Sequence, residues 1–198
     1  FDCMGLVWID APMEAEGAAA VMCKRGIVGA VASQDWDTLV YGSPFMIRNL
    51  TAHGTRKFGR VMQAEMISLD EMLEGLGISH SQLVDLAIMI GTDFHPGIKG
   101  IGPKTGLKLI KEHGNMEEVS LAKGFELPDN LEQIRSLFLN HPTGDDPVPQ
   151  SRPAIEEDMI QFLQIERGFG DGRMKRALDR LSSVGKLRSK SRPTLFDF

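Results

Sequence analysis

The chain has 198 residues, 42% of them hydrophobic, enough for one globular core of ordinary size and short for two. No apolar run reaches the roughly 18 residues of a membrane-spanning helix, and the opening residues lack the basic-then-apolar order of a signal peptide, so a soluble, intracellular protein is expected. A net charge of -5 and a pI of about 5.6 argue against a polyanionic partner, but weakly, because cations bound by a carboxylate cluster would reverse the local field that a phosphate meets.

In chain order, Gly5 to Ile9 is expected to be a buried strand, ended by the turn Asp10-Ala11-Pro12 and followed by a helix from about Met13 to Lys24. Gly26 to Ala32 and Thr38 to Tyr41 are further strand candidates, and Arg60 to Ile67 is another, on an edge. This alternation predicts an α/β core with a mainly parallel sheet. From Ser68 the periodicity becomes helical: Leu69, Met72, Leu73 and Leu76, then Leu83, Leu86, Ala87 and Ile90. Gly97 to Gly102 interrupts it, a helix from about Lys104 to Glu112 follows, and about His141 to Pro153 is a long polar loop. Helices near Glu156 to Arg167 and Gly172 to Leu187 precede a basic, then apolar tail. Cys3 and Cys23 are too few for a disulfide framework or a zinc site and are expected to be reduced, buried thiols. The five histidines are scattered; His95 lies near the residues singled out next, and none is assigned a role.

Two glutamates, Glu14 and Glu16, open the first helix directly after a strand candidate, at the end of a strand where α/β folds place sites. Complementing the helix dipole is their alternative use. Asp35 and Asp37 follow a second strand candidate and point the same way if the segment is extended. Asp93, at the end of an apolar helix, is a fifth carboxylate, with capping of the next turn as its alternative. Hard divalent cations take oxygen ligands, and two of them about 4 Å apart suit phosphodiester hydrolysis, stabilising the attacking and leaving oxygens of an in-line displacement. No side-chain nucleophile is then required.

The segment Gly97-Ile98-Lys99-Gly100-Ile101-Gly102-Pro103-Lys104-Thr105-Gly106 places small residues before a helix, where backbone amides can meet a phosphate. It lacks the spacing and ending of a Walker loop. Gly100, Gly102, Lys99, Lys104, Thr105 and Lys108, with Lys111, are therefore candidates for contacts with a DNA backbone, positioning it without reading its sequence; a tight helix-helix turn with solvated lysines is the alternative.

Taken together, Ala11-Pro-Met-Glu-Ala-Glu16, Ala32-Ser-Gln-Asp-Trp-Asp-Thr-Leu39, Tyr41-Gly-Ser-Pro44, Ile90-Gly-Thr-Asp-Phe94 and Gly97 to Thr105 resemble, in family order, the flap endonucleases within the structure-specific 5′ nucleases that include the xeroderma G-type and exonuclease-1-type enzymes. The resemblance covers most of the chain. It implies a PIN-like α/β core followed by a helical region with a helix-two-turn-helix module at about 88–113, and it implies two magnesium ions, with manganese as a substitute. Glu14, Glu16, Asp35, Asp37 and Asp93 correspond to five metal-site carboxylates. The resemblance further implies a potassium ion held by backbone carbonyls in the module, flap or branched DNA as substrate, and roles in replication and repair. Leu195, Phe196 and Phe198 look like a degraded sliding-clamp motif, a contact with a PCNA-like ring.

The family's two further aspartates, its terminal amine and its helical arch have no counterpart in this sequence, and the chain begins at Phe1 rather than methionine. A preceding segment or a second polypeptide that completes the site is expected. The expected organisation is 1–67 as the later part of the nuclease core, 68–187 as the helical region and 188–198 as the clamp-binding tail, in a cytoplasmic, nucleoid-associated or nuclear protein. The expected activity is metal-dependent endonucleolytic hydrolysis at single-strand/duplex junctions; a non-catalytic junction- and clamp-binding module is the alternative, and a PIN-type ribonuclease a third reading that would not need the glycine hairpin.

Overall fold

Helix α1 (Ala15–Lys24) begins just after the Pro12 turn, with Glu14 as its N-cap residue. In this computed structural model the described residues are 1–52, 54–57, 59–142 and 152–188. The chain divides into two compact units, Ala11–Gly144 and a second made of Phe1–Asp10 with Asp145–Phe198.

In the larger unit, α1 is followed by β1 (Val31–Ala32), the short helix α2 (Asp37–Val40) and β2 (Phe45–Arg48). A small excursion carries the two-residue strands β3 (Arg56–Lys57) and β4 (Arg60–Val61), paired antiparallel, before β5 (Glu65–Ser68). The main sheet has the order β1-β2-β5. Val31 and Ala32 pair in parallel with Met46 and Ile47, whereas β2 and β5 pair antiparallel over four residues, Phe45↔Ser68 to Arg48↔Glu65.

Four expectations are corrected here. The described sheet is mixed, and its longer ladder is antiparallel, because β2 and β5 are joined by a hairpin-like excursion rather than a helical crossover. Thr38 to Val40 lie in a helix, not a strand: Thr38, Leu39 and Val40 are all buried, and Phe45 to Arg48, which was not anticipated, takes the central position. Short apolar runs of this kind do not distinguish the two conformations by periodicity. Residues 6–9 are not a strand either; no described residue pairs with them, and Leu6, Val7, Trp8 and Ile9 are 38–50% exposed. The single edge strand expected from Arg60 to Ile67 is instead two: Arg60–Val61 form β4 of the separate small sheet, and Glu65–Ser68 form β5 at the edge of the main one.

The helices follow their periodicity closely. Helix α3 (Leu69–Leu76) starts at Ser68, whose Oγ accepts the Glu71 amide. Helix α4 (His80–Ile90) starts with a capping box between Ser79 and Gln82, satisfying two otherwise orphaned donors. Helix α5 (Pro103–His113) has proline at its first position, where no amide is needed. Helices α6 (Met116–Lys123) and α7 (Leu131–Leu139) complete this unit. Gln82 Nε2 donates to the Gly114 carbonyl at 2.8 Å and so ties the start of α4 to the end of α5.

One core runs through sheet and helices: Leu39, Met46, Ile88, Met89, Ile110, Met116, Ile134 and Phe138 are fully buried in it. It crosses the boundary expected at 67/68, since Leu69 is buried in the same cluster as Met46 and its amide donates to the Pro44 carbonyl. In the smaller unit, α8 (Glu156–Met159) continues into a π-helical segment, Ile160–Glu166, and α9 spans Asp171–Arg188. The Ile155 amide donates to the Cys3 carbonyl at 2.8 Å. Both cysteines are free; Cys23 is buried and Cys3 partly so. No helix among the described residues is long and apolar enough to cross a membrane.

Candidate nuclease site

Glu14 and Glu16 stand at the amino end of α1, Asp35 and Asp37 on the turn from β1 into α2, and Asp93 on the turn that follows α4. Glu14 makes no capping hydrogen bond with its side chain, so its carboxylate is not spent on the helix start. Asp35 is shaped by its own turn: its amide donates to Ser33 Oγ at 3.0 Å, and its Oδ1 accepts the Asp37 amide at 3.1 Å.

The five carboxylates are electrostatically one group. The Asp37 carboxyl is held above the ordinary carboxylate range, first by burial and then by the negative charges of Asp35, Asp93, Glu16 and Glu14. Tyr41, 2% exposed, is pushed well above the usual phenol range by burial and then by Glu14, Asp37, Glu16 and Asp93. The structure thus places Asp35, Asp93, Glu16 and Glu14 within electrostatic reach of Asp37, with the buried Tyr41 in reach of four of the five. The donor set is all oxygen and strongly negative, the chemistry that hard divalent cations select. Among the described residues no three His, Cys, Asp or Glu side chains are grouped closely enough to hold an ion by themselves.

Tyr41 and His141 were not singled out by the sequence. The Tyr41 ring contacts Phe138 at 4.7 Å between centroids and His141 edge-on at 5.1 Å. His141 is 6% exposed, and neither ring nitrogen has a hydrogen-bond partner among the described residues. Its ring lies so close to Gly17 that any side chain there would collide with it. Gly17 therefore lets the first turn of α1, with Glu14 and Glu16, approach the ring. A glycine directly after two glutamates at a helix start was the available signal.

Helices α4 and α5 are joined by a loop with turns at 93–94 and 99–100. The Ile98 amide donates to the Met89 carbonyl at 2.8 Å, anchoring the hairpin to the end of α4. His95 Nδ1 lies 3.1 Å from both the Ile88 carbonyl and the Gly97 amide nitrogen, a positioning contact the sequence did not reveal. Lys99, Gly100, Lys104, Thr105 and Lys108 are exposed and Gly102 partly so, and none of the three lysines is ion-paired among the described residues. Gly97 has φ +83°, and a Cβ there would overlap the Ile90 carbonyl oxygen. Gly97→Ala is expected to cost at least about 1–3 kcal/mol and to loosen the hairpin, read by urea unfolding; an unchanged midpoint would contradict this geometry. Leu195, Phe196 and Phe198 lie outside the described residues.

Residues 5–93 match the family model described as XPG I-region. A flap endonuclease 1 of Methanosarcina barkeri is 43% identical over 195 residues, 95% of this chain and 57% of that protein, and one of Methanothrix thermoacetophila is 42% identical over 187 residues, 92% and 55%. Over nearly its whole length this chain is similar to flap endonucleases. The matched stretch, residues 5–93, contains all five carboxylates, with Asp93 at its last position. A solved flap endonuclease-1 from Methanococcus jannaschii superposes with a TM-score of 0.81 at 36% identity, covering 96% of this chain and 56% of that one. The catalytic core of Rad2 in complex with DNA substrate shares the fold, with a TM-score of 0.76 at 18% identity over 91% of this chain and 64% of that one. The chain spans about half the length of the curated relatives it matches.

Proposed function

We propose that this chain is the carboxylate-bearing and duplex-gripping part of a structure-specific 5′ flap endonuclease acting in DNA replication and repair. The observation that carries the reading is the convergence of Glu14, Glu16, Asp35 and Asp93 on Asp37, in the same unit as a glycine hairpin flanked by unpaired lysines. On this reading the five carboxylates hold magnesium or manganese, which supplies positive charge and Lewis acidity at the phosphodiester. Asp37, half-buried among like charges, gains most from a cation. The α4–loop–α5 element acts as the helix-two-turn-helix module: backbone amides at the start of α5 and the side chains of Lys99, Lys104, Thr105 and Lys108 hold duplex phosphates, with a potassium ion at the loop carbonyls. Residues 195–198 serve as a sliding-clamp contact, and a second polypeptide or segment completes the site.

The test is a labelled 5′-flap substrate incubated with magnesium and the chain, alone and with a candidate amino-terminal partner. Cutting near the junction is expected from the combination, lost on adding a chelator and reduced about 10²–10³-fold by Asp35→Ala. Failure of the combination to cut, or full activity of Asp35→Ala, would sink the proposal.

A further inference from the structure

Between Asp35 and Asp37 stands an aromatic residue that the core does not use. Trp36 is 49% exposed, whereas the aromatic packing of this unit is carried by Tyr41, Phe94 and Phe138. One face of the indole is covered by the Arg48 guanidinium, whose Cζ lies 4.5 Å from the ring centroid. Arg48 comes from β2, beside β1, and the Ser33 amide donates to the neighbouring Ile47 carbonyl at 3.2 Å, so the platform and the aspartate turn share one support. Arg48 makes no ion pair among the described residues, and its buried Nε has no hydrogen-bond partner. The arginine therefore lies against the ring rather than on a carboxylate, which props the indole while half of the residue stays exposed.

We propose that Trp36, propped by Arg48, is a stacking platform for the nucleobase next to the phosphate that the carboxylates address. This rests on the nuclease reading and adds a contact to the base, where the carboxylates and lysines address phosphates. A nucleotide's base lies within one residue's reach of its phosphate, and Trp36 is adjacent in sequence to two of the five carboxylates. Every base has a π-face, so the contact grips an unpaired or splayed nucleotide without selecting its identity.

The chain has two tryptophans, so Trp8→Phe makes Trp36 the sole indole reporter. That variant is titrated, in calcium, with a fluorescently tagged 5′-flap oligonucleotide and with the same flap carrying abasic sites at the junction nucleotides. Binding is followed by anisotropy and stacking by Trp36 emission. Intact flap is expected to quench Trp36 and abasic flap to bind with the emission unchanged. Trp36→Ala should weaken binding of intact flap about 5–150-fold, the loss of one base–aromatic stack, but leave binding of abasic flap within about 3-fold, while Trp36→Phe recovers most of the loss. Tight binding of intact flap with unquenched Trp36, or equal affinity of Trp36→Ala, overturns the platform and leaves the nuclease reading standing. Absence of any flap binding by the Trp8→Phe chain overturns both.

Discussion

Asp37→Asn is expected to abolish most cutting while making the chain harder to unfold in a chelator at neutral pH. The loss of activity, on the order of 10²–10³-fold, follows from removing the carboxylate on which the other four charges converge. The gain in stability follows from the same convergence. Burial and the charges of Asp35, Asp93, Glu16 and Glu14 raise the Asp37 pKa above its ordinary 3.8, so the folded chain binds this proton more readily than the unfolded chain does. Stability therefore falls as pH rises from about that value through the raised folded one, and the penalty persists at neutral pH. Asparagine removes the charge and with it the penalty. Urea midpoints should be higher for the variant at pH 7 in chelator and should converge with the parent in acid, and magnesium should stabilise the parent more than the variant. A variant less stable than its parent at pH 7 in chelator would show that the carboxylates do not repel one another as the fold implies.

Arg135→Ala is expected to cost about 3–5 kcal/mol, the largest stability loss of any single change considered. Asp85, 4% exposed on α4, receives Arg135 Nε at 2.7 Å and Nη2 at 2.8 Å, and its Oδ2 also accepts the Met116 amide at 3.0 Å. Truncating the arginine leaves a buried carboxylate with one amide for company. Glu117 and Glu132 also pair with Arg135, but at 40% and 81% side-chain exposure they lose little. Arg135→Lys should recover only part of the stability, because a point charge cannot serve both carboxylate oxygens and Glu117 together. The double change Asp85→Leu with Arg135→Met should lie closer to the parent than Arg135→Ala does, since the buried charge is then gone as well. A loss below about 1 kcal/mol in urea unfolding would mean the pair is solvated. The network matters to the site because it joins α4, α6 and α7, and α4 delivers Asp93. The Arg135 hydrogen bond also holds the Glu117 carboxyl below its ordinary range, so that its stabilising contribution is present above 4.5 and fades as pH falls through the lower folded value.

The helical half was legible in the sequence because each helix is decided locally. Leu69, Met72, Leu73 and Leu76 recur at helical spacing, Ser68 and Ser79 are N-cap residues, and Gly77 ends α3 with φ +64°. The sheet was not legible to the same degree. Thr38 to Val40 carry β-branched residues and yet form a helix, because all three residues are buried there and Phe45 to Arg48 occupies the strand position between β1 and β5. Strand identity depends on a partner elsewhere in the chain, and residues 6–9 show the converse case: strand-like composition, no described partner, no strand.

The acidic residues, their order and the glycine hairpin were determined by the sequence alone, because ligand chemistry and backbone permissiveness belong to residue types. What only the tertiary structure decided is how they act together. It placed Asp35, Asp93, Glu14 and Glu16 within electrostatic reach of Asp37, set the Tyr41 ring against His141, and left Trp36 half exposed against Arg48. These relations link residues tens of positions apart, up to 124 between Gly17 and His141, and packing across such distances is fixed by the whole core rather than by any local pattern.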